Sequence, residues 1–387
     1  MLRVVHIVEA FCGGVLTHLR AILPPLATCD CEVSLVCSLE RDWPRLAEAA
    51  EEFRRAGVTV HVVKMTRAFH LWRDPASLVG LRRILTEGKF DVVHTHGSKA
   101  GALGRVAARM AGIPVVVHTP HCFAFLRCPS PIAAYGYRAT ERALGRLTDV
   151  LIGVSQAEAD VARDLKILPP DRCVVVENAL DDVVHRTEQA LPARRMRLRE
   201  YFGVREDQRV VTIVARLVAY KGIATFIEVA GACKARNAVF FIAGNGPLEG
   251  RLRHRLRDAG LGEKVRLLGH VETVADLYEA SDVVVSCSQA EGQSYALLEA
   301  MRAGRAIVAT AVPGNRDLLE DGLTGCLVSP SPKEIASAID RLLADDDLLR
   351  RVGAAARYEF LARPTPQEQA QRLAEIYRQR VEIKKAS

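Results

Sequence analysis

The chain of 387 residues has no run approaching the ~18 consecutive apolar residues that a spanning helix requires, although 49% of it is apolar. Aromatic residues are scarce, at 5%. A nucleic-acid binder would interleave more of them with a stronger charge than the net +7 found here, so nucleic acid is not an expected partner. Close cysteine pairs are nearly absent. Of ten cysteines only Cys29 and Cys31 are near neighbours and no C-x-x-C occurs, which argues against disulfides and for reduced thiols in a cytosolic chain. Low-complexity tracts, short-period repeats and charged tails are missing too, and with 26% charged residues the composition excludes disorder, collagen and coiled coil. The N-terminal stretch is broken by His6 and Glu9 and lacks a small-residue cleavage site, so it reads as a strand and not a secretory signal. The expected location is the cytoplasm.

What is present is an alternation of short β-branched runs with longer helical stretches. At ~150 residues per domain the length suits two domains. Strands are expected at 2–8, 32–37, 58–63, 91–95, 114–118, 149–154 and 173–177, with helices at 15–27, 44–56, 75–88, 99–111 and 156–166. An irregular, arginine-rich passage (Arg194, Arg195, Arg197, Arg199) interrupts the pattern near 180–205. Strands resume at 210–214, 238–243, 265–268, 282–286, 306–309 and 325–328. Runs such as Val210-Val211-Thr212-Ile213-Val214 are apolar at successive positions, as strands buried on both faces are. Repeated strand–helix units imply parallel sheets with right-handed crossovers. The expected fold is therefore α/β, with doubly wound domains at 1–182 and 183–362. A last helix over about 363–387, with Leu373, Ile376 and Tyr377 at helical spacing, is expected to pack back on the first domain.

Doubly wound sheets bind ligands beyond the carboxyl ends of their strands. Glycines and polar residues gather there in both halves: Gly13-Gly14, His96-Gly97-Ser98-Lys99 and Thr119-Pro120-His121 in the first; Arg216, Lys221-Gly222, Gly244-Asn245-Gly246-Pro247 and Glu291-Gly292-Gln293-Ser294 in the second. Each piece alone has a plainer reading. Gly13-Gly14 can be a turn as well as a close approach to an anion at a helix start. Gly244-x-Gly246 followed by Gly250 misses the dinucleotide spacing by one, and no acid ends the next strand (Leu267-Leu268-Gly269-His270), so a nicotinamide site is disfavoured. His94, His96, His118 and His121 lie on two connections without a carboxylate or thiolate to complete a tetrahedral set, and suit hydrogen bonding to a polar substrate better than metal. Ser294 is placed to N-cap a helix reaching Arg302, with Glu299 ~7 Å along its axis. Glu291 and Glu299 can serve sugar hydroxyls or be ordinary surface glutamates.

Taken in order, these motifs resemble the retaining GT-B glycosyltransferases of family 4, the group 1 glycosyltransferases. E-x7-E (Glu291, Glu299) lies within E-G-x-x-x-x-L-L-E-A-M-x-A-G. Arg216-Leu217-x-x-x-Lys221-Gly222 resembles the family's phosphate-binding segment, Gly244-x-Gly246-Pro247 its strand exit, and Asp321-Gly322-x-x-Gly325 its late turn. Gly13-Gly14, His94-x-His96-x-x-x-Ala100-Gly101 and Thr119-Pro120-His121 fit in the first half. The resemblance implies two Rossmann-like domains facing an interdomain cleft, with a nucleoside-diphosphate sugar on the second and the acceptor on the first. Arg216 and Lys221 would neutralise the leaving diphosphate without a metal, and no cofactor is implied. Glu299 would bind the ribose and Glu291 would lie near the sugar. The backbone of Gly292, Gln293, Ser294 and Tyr295, together with Gly13, Gly14, Gly244 and Gly246, would line the donor, and His121 would touch the transferred sugar. The pattern departs at Gly304-Arg305-Ala306-Ile307, at Asp317, and at Gln293-Ser294, which leaves the sugar's identity open.

From Lys99 to Arg146 seven basic residues face the single acid Glu141. The stretch is either a set of solvated helix faces or an electropositive surface for a phosphate-bearing acceptor or anionic lipid. In the second case His96, Lys99, Arg127, Arg138 and Arg142 would meet a saccharide or polyprenyl-linked acceptor at the inner face of the cytoplasmic membrane, in surface polysaccharide or glycolipid synthesis. A soluble sugar acceptor, a nucleotide-sugar epimerase of the same fold, and a non-catalytic sugar-nucleotide-binding protein remain the alternatives.

Overall fold

A computed structural model describes residues 1–9, 11–40, 46–66, 69–70, 72–182 and 191–386. The expected start of the second helix at 44 and residues 183–190 of the expected break lie outside them. The chain divides into two compact units, Met1–Asp181 with Pro364–Ser387, and Asp182–Arg363. In the first unit the strands are β1 (Leu2–Val8), β2 (Cys31–Cys37), β3 (Thr59–Val62), β4 (Val92–His96), β5 (Val115–Thr119), β6 (Val150–Gly153) and β7 (Cys173–Val175). They are joined by α1 (Gly13–Ala27), α2 (Leu46–Arg55), α3 (Arg73–Gly88), α4 (Ser98–Met110), α5 (Pro131–Gly145) and α6 (Gln156–Asp164). The second unit opens with α7 (Leu191–Tyr201), β8 (Arg209–Val214), α8 (Ile223–Ala232), β9 (Ala238–Ala243), α9 (Glu249–Asp258) and β10 (Val265–Gly269). It continues through α10 (Val274–Ala280), β11 (Val283–Ser286), α11 (Tyr295–Arg302), β12 (Ala306–Thr310), α12 (Pro313–Arg316), β13 (Cys326–Val328), α13 (Pro332–Ala344) and α14 (Asp346–Leu361). The chain ends in α15 (Pro366–Ala386).

The strand orders are β3-β2-β1-β4-β5-β6-β7 and β10-β9-β8-β11-β12-β13. The pairings are parallel, from β1 on β2 and β4 to β12 on β13. Central strands β4, β5 and β9 are buried along their whole length, which is why their sequences are apolar on both faces. In both sheets the order reverses beside the first strand, between β1 and β4 and between β8 and β11. A crevice forms at such a point because neighbouring crossovers leave on opposite faces.

One departure from the sequence expectations has a physical cause. The arginine-rich passage is helix α7, whose amphipathicity is electrostatic. Arg194 pairs with Asp276 (2.5 Å) and Glu279 (3.0 Å), and Arg195 and Arg199 pair with the buried Asp282 (2.7 and 3.3 Å). A search for apolar periodicity does not see such a helix. The last helix, α15, buries Leu373, Ile376, Tyr377 and Val381 in the core formed with α1 and β1 of the first unit. All ten cysteines are free. Among the described residues no helix is long and apolar enough to cross a membrane.

Candidate active site

In the second unit, four loops at the carboxyl edge of the sheet lie backbone against backbone, and glycine makes this possible. A Cβ on Gly244 (φ +130°) would stand 2.0 Å from the Ala215 carbonyl oxygen, and one on Gly246 2.7 Å from that of Leu217. At Gly222 (φ +67°) the Cβ would be 2.1 Å from the Cys287 oxygen, and at Gly314 2.1 Å from that of Gly292. Such approaches are closed to any residue with a side chain. Gly244 and Gly246, read from sequence as donor contacts, thus serve first to seat the Ala215–Leu217 segment, which the bonds from Leu217 N to Asn245 O and from Leu248 N to Leu217 O hold (3.0 and 3.2 Å).

This packing gathers the cations and acid expected at the site. Lys221 Nζ lies 2.5 Å from Glu291 Oε1, which also accepts from Ser288 Oγ at 2.6 Å. Arg216 is half-buried, and its Nε is buried with no hydrogen-bond partner among the described residues. Ser294 occupies the N-cap position of α11, but its side chain makes no capping bond, a correction to the sequence expectation. Neither α8 nor α11 carries an acid in its first turn, which leaves the positive ends of both helices uncompensated. The side chains of Gln293, Ser294 and Tyr295 are buried, so the segment can offer a ligand chiefly its backbone.

Glu299 sits deeper. Burial raises its carboxyl to about 7, against the pull of Arg302 and of the Tyr278 hydroxyl. Tyr278 is fully buried and its phenol is pushed up by burial and by Glu299. The sequence reading missed Tyr278, which looks like an ordinary apolar-face residue of α10.

In the first unit the histidines form a network. Strand alternation puts His6, His94 and His96 on the face covered by α1 and α15, whereas Thr95 and His118 face the other way. His6 Nδ1 meets His96 Nε2 at 2.9 Å, and His96 Nδ1 meets His121 Nε2 at 3.0 Å. His94 joins Tyr377 Oη of α15 (2.6 Å) to Thr119 Oγ1 (2.8 Å). His18, not singled out from sequence, bonds Asn178 Oδ1 at 3.0 Å and sets its ring 4.6 Å from that of His121. Burial pushes His6 down to about 3 and His18 to about 4, and holds His94, His96 and His121 well below their ordinary range. Each ring therefore carries one proton. His6 Nε2 is buried without a partner among the described residues, and a bare lone pair is the cheaper orphan. His6 then donates from Nδ1 to His96, and His96 from Nδ1 to His121, which leaves the proton of His121 on Nδ1. Two triplets, His6–His94–His96 and His18–His96–His121, have ring nitrogens within metal-bridging reach, but most of those nitrogens already bond one another or Tyr377, Thr119 and Asn178.

His121 and Cys122 adopt φ of +51° and +72°, a costly conformation for side-chain-bearing residues and one that clusters at functional sites. Glu158 holds this turn. Its carboxyl accepts from Cys122 N (2.5 Å) and Val154 N (3.0 Å), and burial raises it to about 7. The available signal was Ser155-x-x-Glu158, a capping-box pattern, and Ser155 Oγ does accept from Glu158 N at 3.2 Å. Gly13 opens α1 at φ +56°, and Gly14 is exposed beside it.

The acceptor set read from the basic stretch divides. Lys99 is buried against Asp74 at 2.5 Å and cannot reach a membrane. His96 is buried behind His121. Arg105 and Arg109 are likewise spent inside the unit on Glu141 (2.8 Å) and Asp149 (2.7 Å). Arg127 is half-buried, close enough to His121 and Glu158 for its charge to act on both. Arg138 and Arg142 are exposed on α5, with Ile132 and Tyr135 also exposed there.

Comparison with known proteins follows the same two halves. A model described as "Glycosyl transferase 4-like domain" matches residues 13–179, and "Glycosyl transferases group 1" matches 195–359. The chain is 31% identical over 309 residues to the UDP-Gal:alpha-D-GlcNAc-diphosphoundecaprenol alpha-1,3-galactosyltransferase of Escherichia coli, covering 78% of each protein. It is 30% identical over 303 residues to alpha-D-kanosaminyltransferase of Streptomyces kanamyceticus, covering 74% of this chain and 77% of that protein. Among solved structures, Anabaena Alr3699/HepE in complex with UDP and glucose superposes with a TM-score of 0.82 at 20% identity, over 98% of this chain and 100% of that one. WaaG, a glycosyltransferase involved in lipopolysaccharide biosynthesis, gives 0.76 at 18% over 97% and 99%. These two structures share the GT-B fold with this chain.

Proposed function

The chain belongs to the group 1 glycosyltransferases, and from that premise we propose that it moves a hexosyl group from a UDP-sugar to a lipid-linked saccharide diphosphate, with retention of anomeric configuration. The observation that carries this reading is the contact of Lys221 with Glu291 beyond β8 and β11, the two strands that flank the reversal point of the second sheet, with Arg216 on the same connection as Lys221 and Glu299 on the helix that follows Glu291. The E. coli relative's name, with a UDP donor and a diphosphoundecaprenol-linked acceptor, supports both partners.

Arg216 and Lys221 bind the diphosphate, Lys221 exchanging Glu291 for a phosphate oxygen. The N-termini of α8 and α11 add backbone N–H groups. The Glu299 carboxyl takes the ribose diol. The acceptor hydroxyl attacks the anomeric carbon on the face that the diphosphate leaves. The bond to the β-phosphate oxygen breaks as the new glycosidic bond forms, and the hydroxyl proton passes to that departing oxygen. The chain's part is electrostatic: two cations and two helix ends stabilise the charge that grows on the diphosphate, which needs no metal ion. His121, held in one tautomer by His96 and His6, presents its Nδ1 proton as a donor to a saccharide hydroxyl at the carboxyl edge of the first sheet.

The exposed face of α5 suits the acceptor's setting. At 100° per residue, Ile132, Tyr135, Arg138 and Arg142 fall within about 120° of one another, a mixed apolar and cationic stripe of the kind that rests on anionic lipid. The deciding experiment incubates the protein with UDP- and GDP-hexoses and a short polyprenyl-diphosphate N-acetylglucosamine, with and without EDTA. Expected are acceptor-dependent UDP release, EDTA insensitivity, and an α-anomeric product by proton NMR coupling. A β-linked product would end the retaining reading. A changed sugar with no acceptor present would instead make the protein an epimerase.

A further inference from the structure

At the opposite end of the first unit's sheet lies a cavity of about 460 Å³ that takes no part in the chemistry above. Its place follows from topology. Asp149 immediately precedes β6 and Arg172 immediately precedes β7, so both stand at the amino edge, whereas His96 ends β4 and His121 follows β5 at the carboxyl edge. Arg109 comes from the end of α4, Arg146 from the end of α5, and Arg380 and Lys384 from the last turns of α15. Five cations thus surround a single carboxylate. Asp149 is already shared, by Arg109 at 2.7 Å and Lys384 at 3.0 Å. Arg172 donates to the carbonyls of Thr148 and Asp149, and Arg380 to that of Asp171 (3.0 Å). Neutral carbonyls satisfy donors without cancelling charge. Arg380 Nε is buried with no partner among the described residues.

Four uncancelled positive charges around one concavity repel one another, and ion pairing among the described residues does not relieve them. Guanidinium forks match phosphate oxygens in geometry and charge, and four of the five cations are arginine. We infer that this cavity binds a phosphate- or diphosphate-bearing anion at a site separate from the catalytic edge. The ligand is either a soluble phosphate compound or the headgroup of an anionic lipid reached from the adjoining α5 face. The chemistry is shared and the source is for experiment to divide.

The test uses full-length protein carrying Arg216→Ala and Lys221→Ala, so that the donor site does not compete for the probe. Inorganic pyrophosphate is titrated calorimetrically, and sedimentation is measured with phosphatidylcholine vesicles with and without phosphatidylglycerol. Both are repeated with Arg380→Gln, which leaves the α5 face intact, and with Arg146→Gln, an exposed site that carries little folding risk. Removing one guanidinium from a charge-assisted contact should weaken binding about tenfold or more. Pyrophosphate binding that is lost in these variants supports the site with a soluble ligand. Binding only to phosphatidylglycerol vesicles, again weakened by Arg380→Gln, supports it with a lipid headgroup. If the parent binds neither probe, or the folded variants bind as well as the parent, the inference is wrong.

Discussion

Glu299 offers a test that separates its proposed role from a merely structural one, because its burial is a standing cost. In the folded chain its carboxyl is raised to about 7 from an ordinary 4.5, chiefly by burial. At ~1.4 kcal/mol per unit this difference amounts to about 3 kcal/mol. The sign follows from proton counting. Between pH 4.5 and 7 the unfolded chain has released this proton and the folded chain has kept it, so the contribution is present at low pH and lost as pH rises through 7. Glu299→Gln keeps the shape of the protonated acid and cannot ionise. At pH 4.5 the variant and the parent should have nearly equal stability. At pH 8 the variant should be more stable by up to about 3 kcal/mol.

The assay is urea unfolding followed by amide exchange in β11 and α11, so that the second unit is read on its own. Donor binding should move the other way. A ribose diol donates hydrogen bonds and so favours the carboxylate, which makes UDP affinity rise as pH increases through about 7 in the parent and stay flat in Glu299→Gln. Replacing the charged acceptor should also cost roughly 10- to 100-fold in affinity. A variant that is less stable at pH 8 than at pH 4.5, with the parent's slope, would refute the reasoning about burial. Unchanged UDP affinity at pH 8 would refute the ribose assignment alone.

Arg216→Gln and Lys221→Met should each lower kcat by about 10²–10³, the range for losing a preorganised donor to developing charge, with acceptor KM unchanged; a rise in donor KM with kcat unchanged would mean uniform binding instead. Gly222→Ala should destabilise the second unit by at least 1–3 kcal/mol, because φ is +67° and the new Cβ would meet the Cys287 oxygen. Gly250→Ala, on α9 with open space around it, should instead add about 0.5–1 kcal/mol, as thermal unfolding will report. His6→Phe should free the tautomer of His121, visible as exchange-averaged imidazole ¹⁵N shifts, and lower kcat more than donor KM; sharp, parent-like shifts would break the proposed chain of donors. Arg138→Glu with Arg142→Glu should abolish sedimentation with anionic vesicles while leaving turnover of a water-soluble acceptor analogue intact.

The sheets were readable in the chain because parallel strands buried on both faces leave a mark at successive positions, as Val210 to Val214 and Val115 to Val117 do. The candidate site of the second unit left a mark for a related reason: Arg216, Lys221 and Glu291 lie on connections that follow strands at one edge, and Glu299 is on the helix that comes next. The first-unit site was only half visible. His121 follows β5, but what holds it comes from far away. His6 and His96 are 90 residues apart, His18 and Asn178 160, and His94 and Tyr377 283. No local pattern announces such pairs, and Glu158 showed itself only as a helix-capping residue.

The basic stretch failed for a different reason. A window from Lys99 to Arg146 counts seven cations against Glu141, but helices α3 and α5 and the residue before β6 bring Asp74, Glu141 and Asp149 onto three of them. Lys99 and Arg105 are interior residues, each paired with one acid from another element. Once they are set aside, the remaining cations do not form one surface. Arg138 and Arg142 lie on the outer face of α5, Arg127 stands beside His121, and Arg146 joins Arg172, Arg380 and Lys384, three residues from outside the window, at the amino edge. The electropositive regions that the fold creates are therefore assembled across the chain. Their charge is set by which acids the crossovers carry to the same place, and a count along the sequence reports neither.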